Sequence, residues 1–171
     1  MIVELVSVGT ELLLGNIVNT NTQYLAEQCA LLGLSLYHQS VVGDNHDRMA
    51  EVVKTALGRS DVVILTGGLG PTEDDLTKEV CAEVMGYKLV EDPHTREHLE
   101  QFFKNNIYKE IPDNNWKQAM VPEGALVLDN HNGMAPGLIM EKDGKTAILL
   151  PGPPAELYPM FKEQVYPYLQ K

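Results

Sequence analysis

The 171-residue sequence predicts an α/β fold, a parallel sheet covered by helices on both sides. Three observations carry that expectation. Short β-rich apolar runs alternate with segments of helical spacing. One run, DVVILT at 61–66, is apolar almost throughout, the mark of a strand buried on both faces. Glycine and asparagine cluster where one kind of segment gives way to the next.

The elements follow in order. Ile2–Val8 reads as a strand, broken by Gly9 and Thr10. Residues 20–32 have helical spacing in Tyr24, Leu25, Cys29 and Leu32, and Gly33 stops them. A second strand at 34–42 ends at Gly43, Asp44 and Asn45. Residues 46–57 place Met49, Val52, Val53 and Leu57 on one helical face. The strand at 61–66 runs into the bend Gly67-Gly68-Leu69-Gly70, and a helix then continues through Met85 to Gly86. Thr72 with Asp75 three residues on resembles a capping box for its start. Asp92-Pro93 opens a helix to about Asn106, and Asp113 opens a shorter one. Residues 137–150 read as a hairpin turned by Asp143-Gly144. Pro151-Gly152-Pro153-Pro154 ends it, and a last helix runs toward the C-terminus. No repeat or long linker divides the chain, so one domain over 1–171 is expected.

Composition narrows the partners. The net charge of −11 argues against a nucleic-acid backbone or an anionic membrane surface. MIVELVSVG lacks a basic leader region, and no later segment approaches a spanning length. Two cysteines, Cys29 and Cys81, form neither a disulfide framework nor a zinc spacing, so a cytoplasmic location is expected.

In parallel sheets ligands sit at the carboxyl ends of the strands. Three loops fall there: 9–16, 43–45 and 67–75. The glycine bend is the most pointed of them. Backbone N–H groups stripped of side chains hold anions, and one glycine suffices for a turn. Three imply that something approaches the main chain closely, so a phosphate is expected. Yet Glu73, Asp74 and Asp75 follow at once.

Other patterns fail. The bend lacks the dinucleotide spacing, and Gly144-Lys145-Thr146 has Ile139 where a P-loop needs glycine. HTREH at 94–98 matches one zinc-protease pattern, but a solvated surface helix is the better account. No G-x-S-x-G occurs.

Four motifs in one order then add up: VGTELLLGNIVNTN at 8–21, TGGLGPTEDDLT at 66–77, NGMAPG at 132–137 and LPGPPAEL at 150–157. Together they resemble the N-terminal domain of the CinA, or competence/damage-inducible, family over essentially the whole chain. That domain is similar to the molybdopterin-binding fold of MoaB, MogA and gephyrin. The resemblance implies a three-layer α/β/α sandwich with a mostly parallel sheet plus a β-hairpin extension. It also implies ADP-ribose pyrophosphatase activity with a divalent metal ion. Longer family members carry an amidohydrolase domain, to which nothing in this chain corresponds. A separate amidohydrolase is therefore an expected partner, as is a homo-oligomer, since relatives self-associate.

Carried over by motif, Asp75 aligns with the aspartate that closes the glycine segment of molybdopterin-binding relatives. Asp44 aligns with the acid after their second strand, and Thr10 and Glu11 match their Gly-x-Glu-Leu segment. Leu69 stands where that branch has Thr, Asp74 where it has Arg, and Met134 replaces the Thr of GTAPG. The expected site follows. Mg²⁺ or Co²⁺ bridges Asp75 and Asp74 to the substrate diphosphate, withdrawing charge and lowering the pKa of a bound water. Asp44 or Glu11 acts with Asp75 in catalysis, orienting that water or taking its proton. Phosphate or nucleotide contacts are expected from Gly67, Gly68 and Gly70 with Thr72 and Thr77. Thr10, Lys117, Asn132 and Gly152 are expected to add to them. The expected reaction is hydrolysis of ADP-ribose to AMP and ribose 5-phosphate. The alternative is a non-hydrolytic molybdopterin- or nucleotide-binding module of molybdenum cofactor metabolism, and a third reading has the domain oligomerise and regulate a separate amidase.

Overall fold

The computed structural model describes residues 1–105 and 111–171. Its main sheet has six strands: β1 (Ile2–Val8), β2 (Ser35–Val42), β3 (Val62–Thr66), β6 (Leu126–Leu128), β7 (Gly137–Lys142) and β8 (Lys145–Leu150). They lie in the order β2-β1-β3-β8-β7-β6. The first four in that order are mutually parallel, while β7 runs antiparallel to both of its neighbours. The expected hairpin thus belongs to the main sheet, because β8 pairs alongside β3. Asp143 and Gly144 turn it with φ of 52° and 78°, the left-handed pair that a two-residue hairpin requires.

Alternation along the strands builds the two outer layers. On one face Val63 and Leu65 of β3 pack with Met49 and Val53 of α3 (His46–Arg59) and with Val80 and Cys81 of α4 (Thr77–Met85). On the other, Val62 and Ile64 meet Leu25 and Cys29 of α2 (Thr20–Leu31). That second face also takes Leu157, Phe161 and Val165 from the last helical stretch. This stretch is α6 (Pro154–Met160), a π-helical segment (Phe161–Val165) and α7 (Tyr166–Leu169). All five residues of β3 are buried, as expected for a central strand. Both cysteines are free and sealed in these two layers.

Several details depart from the sequence expectation. A short helix, α1 (Thr10–Leu13), follows β1 directly. Thr72 does not cap α4, which begins five residues later at Thr77 with Leu76 before it. Thr72 and Asp75 instead close a turn of their own. Between α4 and β6 lie β4 (Leu89–Glu91), α5 (Pro93–Lys104), a 3₁₀ helix (Asp113–Ala119) and β5 (Met120–Pro122). β4 and β5 form a separate two-stranded antiparallel ribbon. α5 starts as expected: Asp92 accepts from the Thr95 N–H at 3.0 Å, with Pro93 at the first helical position. Its expected end near Asn106 lies outside the described residues. Among the described residues no helix is long and apolar enough to cross a membrane.

Candidate functional site

Register explains where the site lies. Val8 of β1 pairs with Val42 of β2, Ser7 with Thr66 of β3, and Thr66 with Leu150 of β8. Four parallel strands therefore end in line, and the residues just beyond them, Gly9, Gly43, Gly67 and Pro151, fall along one edge. The Gly9 N–H donates to the Val42 carbonyl at 2.9 Å and the Gly67 N–H to the Leu150 carbonyl at 3.0 Å, so the chain leaves the sheet already crosslinked. Above this edge opens a crevice of about 890 Å³. The three loops expected to meet at this edge all contribute to its lining, and the turn after β8 makes a fourth wall.

The glycine bend is built differently from its sequence reading. A Cβ on Gly67 would stand 2.4 Å from the Val8 carbonyl oxygen, and one on Gly68 only 2.0 Å from Thr77 Oγ1. On Gly70 it would stand 2.6 Å from Asp75 Oδ2. The close approach inferred from three glycines is thus made by the protein itself. Gly67 and Gly68 also sit at φ of 91° and 72°, where other residues are strained. The consequence for a ligand remains: Gly67, Gly68 and Gly70 line the crevice with no side chain of their own to keep a ligand from the main chain.

Of the expected site residues, Glu11, Asp44, Asp74 and Asp75 line the crevice, with the three glycines of the bend. Thr72, Asn132 and Gly152 line it too. Thr10, Thr77 and Lys117 do not, and each holds a neighbour instead. Thr10 Oγ1 donates to Asp44 Oδ2 at 3.2 Å and fixes that carboxylate. Thr77 Oγ1 donates to the Gly67 carbonyl at 2.8 Å, tying α4 to the bend. Lys117 reaches the acidic loop from behind: its Nζ donates to the Thr72 carbonyl at 2.8 Å and to the Asp75 carbonyl. Buried Lys78 braces it by donating to the Lys117 carbonyl at 2.6 Å, and burial pushes the Lys78 ammonium down to about 8.

Asp75 is already engaged. Its Oδ2 accepts from the Thr72 N–H at 3.1 Å and from Thr72 Oγ1 at 2.7 Å. Asp74 is exposed at the rim. Among the described residues no group of three or more His, Cys, Asp or Glu side chains is placed to hold a metal ion. The donor set therefore fits a divalent ion only in one way, with one or two carboxylates and the remaining ligands brought by a phosphorylated ligand.

Sequence reasoning missed several crevice residues. Asn19 caps α2 by accepting from the Thr22 N–H at 3.2 Å, while its Nδ2 donates to buried Ser7 Oγ at 2.8 Å. Asn21 donates to the Gly152 carbonyl at 2.7 Å, so the start of α2 anchors the turn after β8. Glu156 accepts from Asn130 Nδ2 at 2.7 Å and lies over Gly133, whose missing Cβ would fall 2.0 Å from Glu156 Oε1. Asn19 ahead of a helical run was a readable cap signal. Phe102 and Gln118 also line the crevice, and nothing in their local sequence pointed there.

The HTREH histidines go to separate partners. His94 pairs with Asp129 Oδ1 at 2.8 Å, and His98 Nε2 donates to the Gly133 carbonyl at 3.0 Å. They dock α5 onto the 129–133 loop. The Asp129 carboxylate holds His94 above the ordinary imidazole range.

Electrostatically the crevice is one-sided. Glu11, Asp44, Asp74, Asp75 and Glu156 line it, and among the described lining residues there is no Lys, Arg or His.

Comparison with known proteins bears on the family and the fold. A family model described as "Probable molybdopterin binding domain" matches residues 4–171. A competence-damage inducible protein of Caldicellulosiruptor bescii is 58% identical over 171 residues, which is all of this chain and 41% of that protein. One from Thermoanaerobacter pseudethanolicus is 55% identical over 167 residues, 98% of this chain and 40% of that protein. The chain thus spans about two fifths of the length of these relatives. The crystal structure of CinA from Thermoplasma acidophilum, described as of unknown function, superposes with a TM-score of 0.87 at 32% identity, covering 94% of this chain and 93% of that one. MoaB of Thermus thermophilus superposes at 0.62 with 15% identity over 98% and 95% of the two chains, a likeness of fold alone. The chain belongs to the competence-damage inducible (CinA) family and carries its molybdopterin-binding-like domain.

Proposed function

We propose that the crevice binds a small phosphorylated molecule with a flat heterocycle, a pterin phosphate or a nucleotide, and that the domain serves as a binding module. The observation that carries this reading is the main-chain wall at 67–70, set at the carboxyl edge of four parallel strands. Phosphates bind at such edges by backbone N–H groups and helix N-termini, and the first turn of α2 lines the same crevice. The match to a molybdopterin-binding-type family model supports it.

The acids set a condition on the ligand. Five carboxylates repel a bare phosphate, so an anion here arrives with a cation. Asp74 or Asp75 would hold a divalent ion carried by a diphosphate, and the chemistry such an ion would supply is withdrawal of charge from the phosphates.

A second reading, hydrolysis of ADP-ribose to AMP and ribose 5-phosphate, is favoured by the same acids. Water adds to one phosphorus, the bridging P–O bond breaks, and the released proton passes to Asp44 or Glu11. Asp44, steadied by Thr10, is the better placed to orient that water. A cytoplasmic location, self-association and a separate amidohydrolase as partner belong to the same proposal.

Calorimetric titration with ADP-ribose, AMP and a pterin monophosphate, with and without Mg²⁺ or Co²⁺, tests both readings. Saturable binding strengthened by the metal is expected. AMP appearing from ADP-ribose establishes hydrolysis; binding without AMP leaves the module alone; no binding of any ligand overturns both.

A further inference from the structure

The crevice holds two buried amides that lack a partner. Gln118, 3% exposed, lies on the 3₁₀ helix (Asp113–Ala119), and Asn21, 9% exposed, lies on the first turn of α2. Both line the crevice, and both Gln118 Oε1 and Asn21 Oδ1 are closed to bulk water with no hydrogen-bond partner. For Asn21 the orientation is settled by chemistry. Its Nδ2 faces the Gly152 carbonyl, which can only accept, so the oxygen is the atom left over.

An unpaired buried carbonyl oxygen is costly, and it persists only where the surroundings hold it. The backbone around Gln118 is held on both sides. The Lys117 carbonyl receives Lys78, while the Lys117 ammonium is locked to the Thr72 and Asp75 carbonyls. The main chain that carries Gln118 is thereby fixed, and its side chain is buried at the crevice wall. The described lining offers no Lys, Arg or His that could donate to it. A donor has to come from within the crevice, as a trapped water or as part of a ligand.

Resting on the binding reading above, we propose that Gln118 is a specificity-determining residue, its Oε1 accepting from an exocyclic amino group on the ligand's ring, with Asn21 Oδ1 as a second acceptor. The crevice selects its ligand by donors. Phosphate position comes from main chain, whereas ring identity comes from these two oxygens. Phe102 and exposed Ile17 and Val18 supply the apolar contact that a flat ring needs. A site built to accept from a ligand rejects the isostere that presents an acceptor there, because two acceptors then face each other.

Adenine and hypoxanthine nucleotides present opposite patterns on this edge: an amino donor beside an N1 acceptor in adenine, a carbonyl acceptor beside an N1–H donor in hypoxanthine. Titration of the full chain with AMP and with IMP, in Mg²⁺, reads the preference directly. AMP is expected to bind more tightly by about tenfold or more, the loss of one hydrogen bond with an acceptor left unpaired. In Gln118→Met, which keeps the volume and removes the amide, the AMP/IMP ratio is expected to fall toward one. Should that variant fail to fold, Gln118→Leu, which also removes the amide, is titrated in its place. Equal affinities, or tighter IMP, overturn the inference and leave the binding reading standing, with a trapped water as the partner of Gln118. A strong preference that survives Gln118→Met assigns the selection elsewhere and overturns the role of Gln118. Silence from both nucleotides and the pterin phosphate counts against the binding reading itself.

Discussion

Lys117 Nζ donates to the Thr72 carbonyl at 2.8 Å, and the same ammonium serves the Asp75 carbonyl. The acidic loop is thus shaped from its rear by a cation that the crevice never meets. A lysine that had looked like a phosphate contact in sequence stands where it holds the main chain of the two residues that Asp75 closes into a turn.

Replacing it tests that role. Lys117→Met leaves two carbonyls without their donor and is expected to cost about 1–3 kcal/mol of stability. A denaturant titration measures this, and a midpoint unchanged from wild type would contradict the bracing. Ligand affinity is expected to fall with it, while the circular dichroism of the helices stays unchanged.

The glycines of the bend separate into two kinds. Gly67→Ala drives a Cβ to 2.4 Å from the Val8 carbonyl oxygen and strains φ as well, so a loss of roughly 2 kcal/mol or more is expected. At Gly152 the nearest atom, Gly67 Cα, is 3.5 Å from the added Cβ, an ordinary contact. Gly152→Ala is expected to keep wild-type stability within about 0.5 kcal/mol. Its added methyl borders the crevice, so reduced ligand affinity in a stable protein is the expected result. Thermal melts of both variants check the pair; equal losses would contradict it.

Acid sensitivity is expected at the far end of the sheet. Glu4, 1% exposed, receives Arg59 Nε and Nη2 at 2.9 and 2.8 Å and Ser60 Oγ at 3.0 Å. The Arg59 bonds hold its carboxyl below the ordinary glutamate value, against burial, which pushes it up. A depressed acid stabilises the fold above its unfolded pKa, near 4.3, and loses that contribution as pH falls through its folded value. Glu4→Gln is therefore expected to lose roughly 2 kcal/mol at pH 7, and the difference from wild type is expected to shrink as pH falls below the unfolded value. Stability curves of both proteins across that range are the check.

The cysteines give a chemical test of the layers. Burial raises Cys29 to about 11 and Cys81 to about 12, so both stay thiols at pH 8. Neither is expected to react with a thiol reagent in the native protein, and both are expected to react in guanidinium. Rapid native labelling of either would contradict the packing.

Much of the fold was legible because its signals are long. Strands β1 to β3 and helices α2 and α3 each present several periodic apolar positions, and Asp143-Gly144 dictates its turn. Strands β4, β5 and β6 span three residues each, too few for alternation to register. The start of α4 was misplaced because Thr72 and Asp75 satisfy the capping spacing while closing a different turn, a choice made by Thr77 gripping Gly67.

The site was legible where its residues follow strand ends, as Gly9, Asp44 and Gly67 do. Gln118, Phe102 and Glu156 enter it from elements far along the chain, and only their packing brings them there. The glycines were read as room for a ligand, whereas Val8, Thr77 and Asp75 of the protein fill that room.

Amide chemical-shift mapping with ADP-ribose and Mg²⁺ tests the central claim most directly. The largest shifts are expected at 67–75, 19–21 and 132–135, the walls of one crevice. Shifts centred elsewhere, such as the groove beside the 143–144 turn, or none at saturating ligand, would contradict it.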